Sequence, residues 1–538
     1  MASLAYDNSL FIKGFVLNAS NRINVQKLTD SSSVKTYYRL KSYHRRLAAE
    51  YTKPIAERQN VAELEEKANT LEKELVRTVA GYGDAIRQVE WQEVQDALQP
   101  GEAAVEFIHY DYYTPEPTDS VMYAALVLRP GDEAPRFIPL FEEKELQALL
   151  KENPKGKKAY LNELYGHKKK KATFSNLYRL IWQPLEKLLA DAETVYASPS
   201  GLLHRINLGA VMVNRKKVWG DRHELVLMGS TRPLAIRRNS QFAVRSSPDQ
   251  VVGQPSAVHR PPSAGSLSAT LYGGIHYDMD STAIARANQG EPPIASIGGE
   301  LPFFPLERSE RGLSWDTLPA TAKEAEEIAA IIEKQQGEAE TLKGYHATEE
   351  SFKRLGQDGP SPRILHIATH GYFYPDPEET RERVQLAGSS VSAPAFKISE
   401  HPMIRSGLAM AGGNQAWRGK PVPKGLEDGI LTAYEVSQVD LRNTELVVLS
   451  ACDTGLGDIE GNEGVYGLQR AFRIAGADKL IMSLWNVPDA QTQEMMVLFY
   501  KFWLEEGMEL CEAFRAAQGE MRKKYKEHFY WAAFVLVE

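Results

Sequence analysis

Apolar residues along the first eighty positions recur at alternating spacings of three and four. Tyr37, Leu40, His44, Leu47 and Tyr51 mark one face of an amphipathic helix, and Val61, Leu64, Ala68, Leu71 and Leu75 mark another, with Glu and Lys on the opposite side. This helical pattern begins near Leu10 and stops at Gly81 and Gly83. Each stripe needs a neighbour to cover it, either in a packed N-terminal subdomain or in the tail of a helical-repeat array; no repeat period is visible. From Ala103 the texture changes to short apolar runs. Strands are expected over 105–108, 122–128, 136–140, 194–196 and 225–228, with helices over 143–150 and 177–189. Residues 237–268, rich in Ser, Pro, Arg and Gln and poor in apolar periodicity, read as a linker.

Beyond the linker, strands are expected over 269–278, 363–371, 406–411, 445–449, 479–485 and 531–537. Helices are expected over 322–335, 432–436, 464–475, 490–504 and 510–524. Such alternation predicts an α/β fold, a mostly parallel sheet with helices on both faces. At 538 residues the chain exceeds one core. It divides into a helical segment, 1–99, an α/β half, 100–236, the linker, 237–268, and a second α/β unit, 269–538.

Composition changes this picture little. Hydrophobic content of 43%, charged content of 25% and a net charge of -8 suit a soluble globular protein and give no reason to expect nucleic acid. The basic run Lys168 to Lys171 reads as a solvated loop. Two cysteines are too few for a disulfide framework, so a reducing, cytoplasmic setting is expected. No stretch has the signature of a signal peptide or the roughly 20 apolar residues of a membrane helix. The opening Met1-Ala2-Ser3 leaves room for a longer natural chain upstream.

Two apolar strands end on reactive side chains. The run from Glu445 continues through Ser450 and Ala451 to Cys452, with a break at Thr454-Gly455-Leu456-Gly457; the run from Arg363 delivers His370 to Gly371. Chemistry in open parallel sheets collects at such strand ends. A lone cysteine is more often a packing residue, and Cys511, inside a helical pattern, reads as core. Cys452, beyond its strand, does not fit that description. His204 has no nearby partner and reads as structural. His366 and His370, four apart on a strand, are separated by about 13 Å, too far to share an ion; no metal is expected, and His366 reads as a buried strand residue. In a Cys–His pair the thiolate attacks while the imidazole takes its proton or stabilises its charge. Backbone N–H groups of Gly371 and Cys452 would receive the oxyanion if the two strand ends are adjacent. A rival reading takes Gly455, Gly457 and Gly461 as a dinucleotide-binding loop. Its spacing has one residue too many, the next strand ends in Trp485-Asn486 rather than an acid, and no Gly-Lys-Ser/Thr element exists. No cofactor is expected.

Five motifs in order carry a family resemblance: His-Ile-Ala-Thr-His-Gly-Tyr-Phe at 366–373, Ser-Gly-Leu-Ala-Met-Ala-Gly at 406–412, Asp-Gly-Ile-Leu-Thr-Ala at 428–433, Val-Leu-Ser-Ala-Cys-Asp-Thr-Gly-Leu-Gly at 448–457 and Ser-Leu-Trp-Asn-Val at 483–487. Together they resemble the CHAT-domain proteases, caspase-like cysteine peptidases often preceded by tetratricopeptide repeats. The resemblance covers about residues 100–538. It implies a caspase-like α/β/α sandwich in 269–538, preceded by a degenerate protease-like half in 100–236, much as in separase. It also implies a dyad of His370 and Cys452 cleaving a protein substrate. Ser483, Trp485 and Asn486 lie in the segment whose backbone would pair with the substrate strand. Asp278, Ser450 and Asn486 would surround the side chain preceding the scissile bond; no arginine is among them, and the Asp278 carboxylate favours Arg or Lys there. Asp280, Asp453 and Asp489 are alternatives for that carboxylate. The repeats are mostly missing here, which leaves regulation through the N-terminal helices, by an activating protein or ligand, as an expectation, together with a role in bacterial defence or regulated cell death. Readings from other classes are a catalytically silent caspase-like scaffold and the discounted nucleotide-binding enzyme.

Overall fold

Strands buried on both faces build the centre of the molecule. A computed structural model describes residues 1–13, 31–51, 59–78, 88–151, 156–166, 175–236, 267–289, 314–374, 395–399, 401–451, 458–459 and 465–538. Of the linker expected over 237–268, residues 237–266 lie outside the described residues and Ser268 already opens a strand; the run Lys168 to Lys171, the glycine loop after Asp453 and Cys452 itself also lie outside them.

In chain order the strands are β1 (Glu102–Thr114), β2 (Glu116–Leu128), β3 (Arg136–Glu142), β4 (Thr194–Ser198), β5 (Glu224–Leu227), β6 (Ser268–Ile275), β7 (Glu338–Gly344), β8 (Ile364–Thr369), β9 (Gly371–Phe373), β10 (Ser406–Ala409), β11 (Ile430–Thr432), β12 (Leu446–Ala451), β13 (Asp458–Ile459), β14 (Val465–Tyr466), β15 (Lys479–Ser483) and β16 (Phe534–Val537). Among the described residues, eleven of them form one mixed sheet in the order β3-β2-β1-β4-β5-β16-β15-β12-β8-β6-β7, with smaller sheets β11-β10-β9 and β13-β14. In the large sheet, pairing is parallel except at β3/β2, β2/β1 and β16/β15. The two α/β halves meet at β5 and β16. Within the sheet their seam is a single register pair, Val537 with Leu227, plus Glu538 N–H donating to Leu227 O at 2.8 Å, and Asn207 Nδ2 adds bonds to Ala532 O and Phe534 O beside it.

Helices cover both faces of the sheet. On one face of β8, His366 meets Glu324 of the helix Pro319–Lys334 at 2.8 Å and the hydroxyl of Tyr500, from the helix Asp489–Tyr500, at 3.4 Å. On the other face Tyr272, in register with Ile367, packs on Phe352, which packs on Phe472. Every residue of β8 and β12 is buried, which is why both read as continuous apolar runs rather than alternating ones.

Several boundaries shift for local reasons. The helix expected over 177–189 breaks into Asn176–Ile181, a 3-10 turn and Glu186–Leu189, because Pro184 lacks an N–H for an unbroken helix. β6 stops at Ile275, since Gly274 takes a left-handed φ of 56° beside Ala322, leaving Asp278 three residues past the strand. A helical turn, His528–Trp531, occupies the start of the expected last strand.

The N-terminal residues divide between two roles. Helix α1 (Ala2–Ile12), which begins earlier than its pattern suggested, buries Tyr6 and Leu10 with Trp91, Ala104, Leu126, Leu128 and Val226 against the first half of the sheet. Lys13 caps it and is itself buried: Nζ donates to Glu106 Oε2 (2.9 Å), Phe107 O (2.6 Å), Ser198 O (3.1 Å) and Ser198 Oγ (2.9 Å). Burial alone would raise the Glu106 carboxyl, but Lys13 and the Thr231 N–H hold it below the usual range; burial pulls Lys13 down despite its partner. Helices α2 (Ser31–Tyr51) and α3 (Val61–Thr78) pack on each other through Leu40, Leu47, Leu64, Ala68, Leu71 and Leu75, with Tyr37 beside them, as a cluster separate from the sheet core. The side chains of His44 and Tyr51 lie outside the described ones. No helix among the described residues is long and apolar enough to cross a membrane.

Candidate active site

β8 and β12 are parallel neighbours, with Thr369 in register with Ala451, so His370 and the residue after Ala451 follow adjacent strand ends. That residue, Cys452, lies outside the described residues. The backbone at His370 is fixed where the chain passes from the large sheet into β9. Thr369 Oγ1 bonds to Tyr277 at 2.9 Å and donates to Ala409 O at 2.5 Å, and His370 O accepts from Ala409 N–H at 2.9 Å.

The imidazole is half-buried. Its Nε2 lies 2.8 Å from Asp316 O, an acceptor, which assigns the proton to Nε2 and leaves Nδ1 as the basic nitrogen. Trp315 stacks on the ring at 4.8 Å and 23°, and Tyr277 lies 5.1 Å away. Burial lowers the pKa of His370 below its ordinary value, against the opposing pull of the Asp316 carbonyl. A neutral imidazole with one oriented lone pair is the form a general base needs.

Gly371 is buried beside it. The His370–Ala409 bond extends the antiparallel β9/β10 ladder as a hydrogen-bonded pair, so the adjoining Gly371/Leu408 pair is a non-hydrogen-bonded one. The Gly371 N–H therefore points away from β10, at what is, among the described residues, the edge of the three-stranded sheet.

The remaining sequence candidates are differently placed. Ser450 is buried in β12, and its Oγ has no hydrogen-bond partner among the described residues. Ser483 Oγ donates to Ala451 O at 2.6 Å, tying the ends of β15 and β12 together. The Trp485 side chain is turned into the core, with Nε1 donating to Phe529 O at 2.9 Å and the ring 5.8 Å from Tyr165; Asn486 is exposed. Asp278 is 74% exposed, accepts from Asn414 at 3.1 Å and lies 3.2 Å from the Arg418 guanidinium. Of the alternative carboxylates, Asp280 caps Ala283 and Asp489 accepts from Ala320 N–H at 2.8 Å; Asp453 lies outside the described residues. His204 is half-buried, with its pKa pushed down to about 3 by burial and by Lys13 and His109. Cys511 is half-buried in the helix Leu510–Lys524, 3.3 Å from Glu538, and burial pushes its thiol up to about 12. No group of three His, Cys, Asp or Glu among the described residues is arranged to hold a metal ion.

Trp315, Asp316 and Asn414 escaped the sequence reading. Gly412-Gly413-Asn414 carried a turn signal, but nothing in 314–318 predicts that its backbone meets His370.

In the curated mouse protein Tetratricopeptide repeat protein 28 (Mus musculus), 116 residues are 33% identical, covering 21% of this chain and 4% of that protein; the human protein (Homo sapiens) gives 32% over 115 residues, with the same coverage. This chain thus spans a small part of the relatives' length. Among solved structures, the Arg specific cysteine proteinase gingipain R is 10% identical with a TM-score of 0.34, over 66% of this chain and 65% of that one. The Saccharomyces cerevisiae separase–securin complex is 10% identical with a TM-score of 0.40, over 87% of this chain and 32% of that one. Residues 171–538, more than half of the chain, match the CHAT domain, and this protein belongs to the CHAT domain family.

Proposed function

We propose that this protein is a cysteine endopeptidase in which Cys452 attacks a peptide carbonyl and His370 Nδ1 takes the thiol proton. The single observation that carries the reading is the state of His370. It stands one strand from the segment entering Cys452, with Nε2 occupied by a backbone carbonyl and Nδ1 without a hydrogen-bond partner among the described residues. In the first step the Sγ–C bond forms and the carbonyl oxygen gains charge, which the N–H groups of Gly371 and Cys452 receive. His370 returns the proton to the leaving amine, and water then hydrolyses the thioester.

Ser483 and Asn486 border the substrate strand in this reading, with Trp485 contributing backbone rather than side chain, and Ser450 lines the floor. Asp278 selects a basic residue before the scissile bond, exchanging its surface pair with Arg418 for the substrate's cation. A partner protein is the substrate, and regulation acts through the N-terminal helices. A positional-scanning peptide library, run beside Cys452→Ala and His370→Ala, tests the proposal. Cleavage after Arg or Lys that vanishes in both variants and weakens in Asp278→Ala supports it. Equal turnover by either dyad variant rejects the dyad, and a preference for Asp or for aliphatic residues rejects the basic pocket alone.

A further inference from the structure

We infer that Asn414 is a positioning residue for the His370 imidazole, acting by clamping the Trp315–Asp316 backbone that holds the ring. The functional part of this inference rests on the reading of His370 as a base.

Asn414 is 1% exposed, and among the described residues no hydrogen bond joins it to His370. Its Oδ1 accepts from Trp315 N–H at 2.6 Å, while its Nδ2 donates to Trp315 O at 3.0 Å and to Asp278 Oδ1 at 3.1 Å. Its own N–H donates to Tyr277 O at 2.9 Å. The side-chain amide thus pairs with both backbone groups of one residue, as a neighbouring strand would, and closes an otherwise irregular segment. Asp316 is the next residue along, and its carbonyl takes His370 Nε2. The Trp315 ring lies between the imidazole and Trp417, 4.4 Å away. One clamp therefore fixes both constraints on the imidazole, the carbonyl at Nε2 and the indole over its face. Asparagine suits this position because an acceptor and two donors are used on one planar group. Aspartate would offer no donor and would face Asp278, and leucine would leave both Trp315 groups unpaired.

The clamp makes a prediction that simple destabilisation does not. The ring is covered by Trp315 and Tyr277. Among the described residues, the charged and titratable groups around it are the Asp316 carboxylate, the Tyr277 hydroxyl and, beyond Tyr277, the Asp278–Arg418 pair; the Cys452 thiol is removed by working in Cys452→Ala. Release of the clamp uncovers the ring and removes the Asp316 carbonyl. Burial is the larger of the two effects, so the net movement is upward, toward the ordinary histidine value.

Histidine-selective NMR titration of full-length Cys452→Ala, with His370 assigned by His370→Asn, reads this directly. The parent is expected to show the Nε2–H tautomer, and Asn414→Leu an upward shift confined to His370. Asn414→Ser, which keeps one bond to the segment, should fall between, and it decides by the same criterion if the leucine variant does not fold. In the Cys452-containing enzyme, kcat should drop by up to about 100-fold, with the acid limb of kcat/KM moved to higher pH. A folded variant whose His370 titrates as in the parent, or a parent lacking the Nε2–H tautomer, overturns the inference. Absence of peptidase activity in the parent would count against the proposed function, and the titration would still decide the role of Asn414.

Discussion

A histidine that works as a base near neutral pH must keep one ring nitrogen unprotonated and hold it still. His370 meets both requirements through its surroundings: burial under Trp315 disfavours the imidazolium, and the Asp316 carbonyl selects the tautomer. The acid limb of kcat/KM is accordingly expected below pH 6.5, the ordinary histidine value being about 6.5, and a pH-rate profile checks it. Cys452→Ala and His370→Ala should each lower turnover by about 10³-fold or more with unchanged thermal midpoints, since both residues follow strand ends rather than lying inside them. Cys511→Ala should retain activity. The two strands that lead to His370 and toward Cys452 were legible because a short, continuously apolar run ended by a turn is a local pattern. The surroundings of His370 were not: Asp316 and Trp315 meet it, and Asn414 holds Trp315, through contacts between segments far apart in sequence, and contacts of that kind leave no periodicity.

Among the elements, two are braced by buried charge as well as by apolar surface. Lys353 pairs with Glu349 at 2.5 Å, Glu435 at 2.9 Å and Glu427 at 3.1 Å, beneath the turn leading into β11. Asp428 lies beside this cluster with its carboxyl pushed up to about 7 by burial and by Glu435, while its Oδ1 accepts from Ile430 N–H at 2.8 Å. Its folded value lies above its unfolded one. The folded state therefore keeps a proton that the unfolded chain loses between about pH 4 and pH 7, and the group's contribution to stability falls across that window as pH rises. Asp428→Asn, which can keep the Ile430 bond, should stabilise by on the order of 1–3 kcal/mol at pH 8 and by little at pH 4.5, read from urea midpoints. The second brace is Lys13. Lys13→Ala would leave Glu106 charged and buried without its cation, at a cost of about 3–5 kcal/mol, and hydrogen exchange should show residues 2–12 losing protection first. Helices and strands were legible where one face repeated or both faces were apolar, as in the 510–524 helix and in β12. Boundaries slipped where a single Pro184 or Gly274 decided them.

For the molecule as a whole, the arrangement that matters is one sheet shared by both halves. The last strand, β16, inserts between β5 and β15. Strand-helix alternation made the α/β class readable, but the strand order depends on tertiary pairing, and the β5/β16 seam is a single register pair. The N-terminal segment likewise read as one helical unit, whereas α1 belongs to the sheet core and α2–α3 cover each other. Deleting residues 1–13 should therefore lower solubility and thermal stability, and replacing 31–78 with a flexible linker should leave both nearly unchanged; comparison of the two melts checks this. If the sheet brings a base to a nucleophile, as proposed, the thiol of Cys452 must depend on His370, and with just two cysteines in the chain alkylation by iodoacetamide as a function of pH reads this. Rapid modification of Cys452 is expected at neutral pH, slowed at least tenfold by His370→Ala, while Cys511, its thiol pushed up to about 12, stays unmodified. Equal rates at the two cysteines, or a Cys452 rate indifferent to His370, would contradict the proposal.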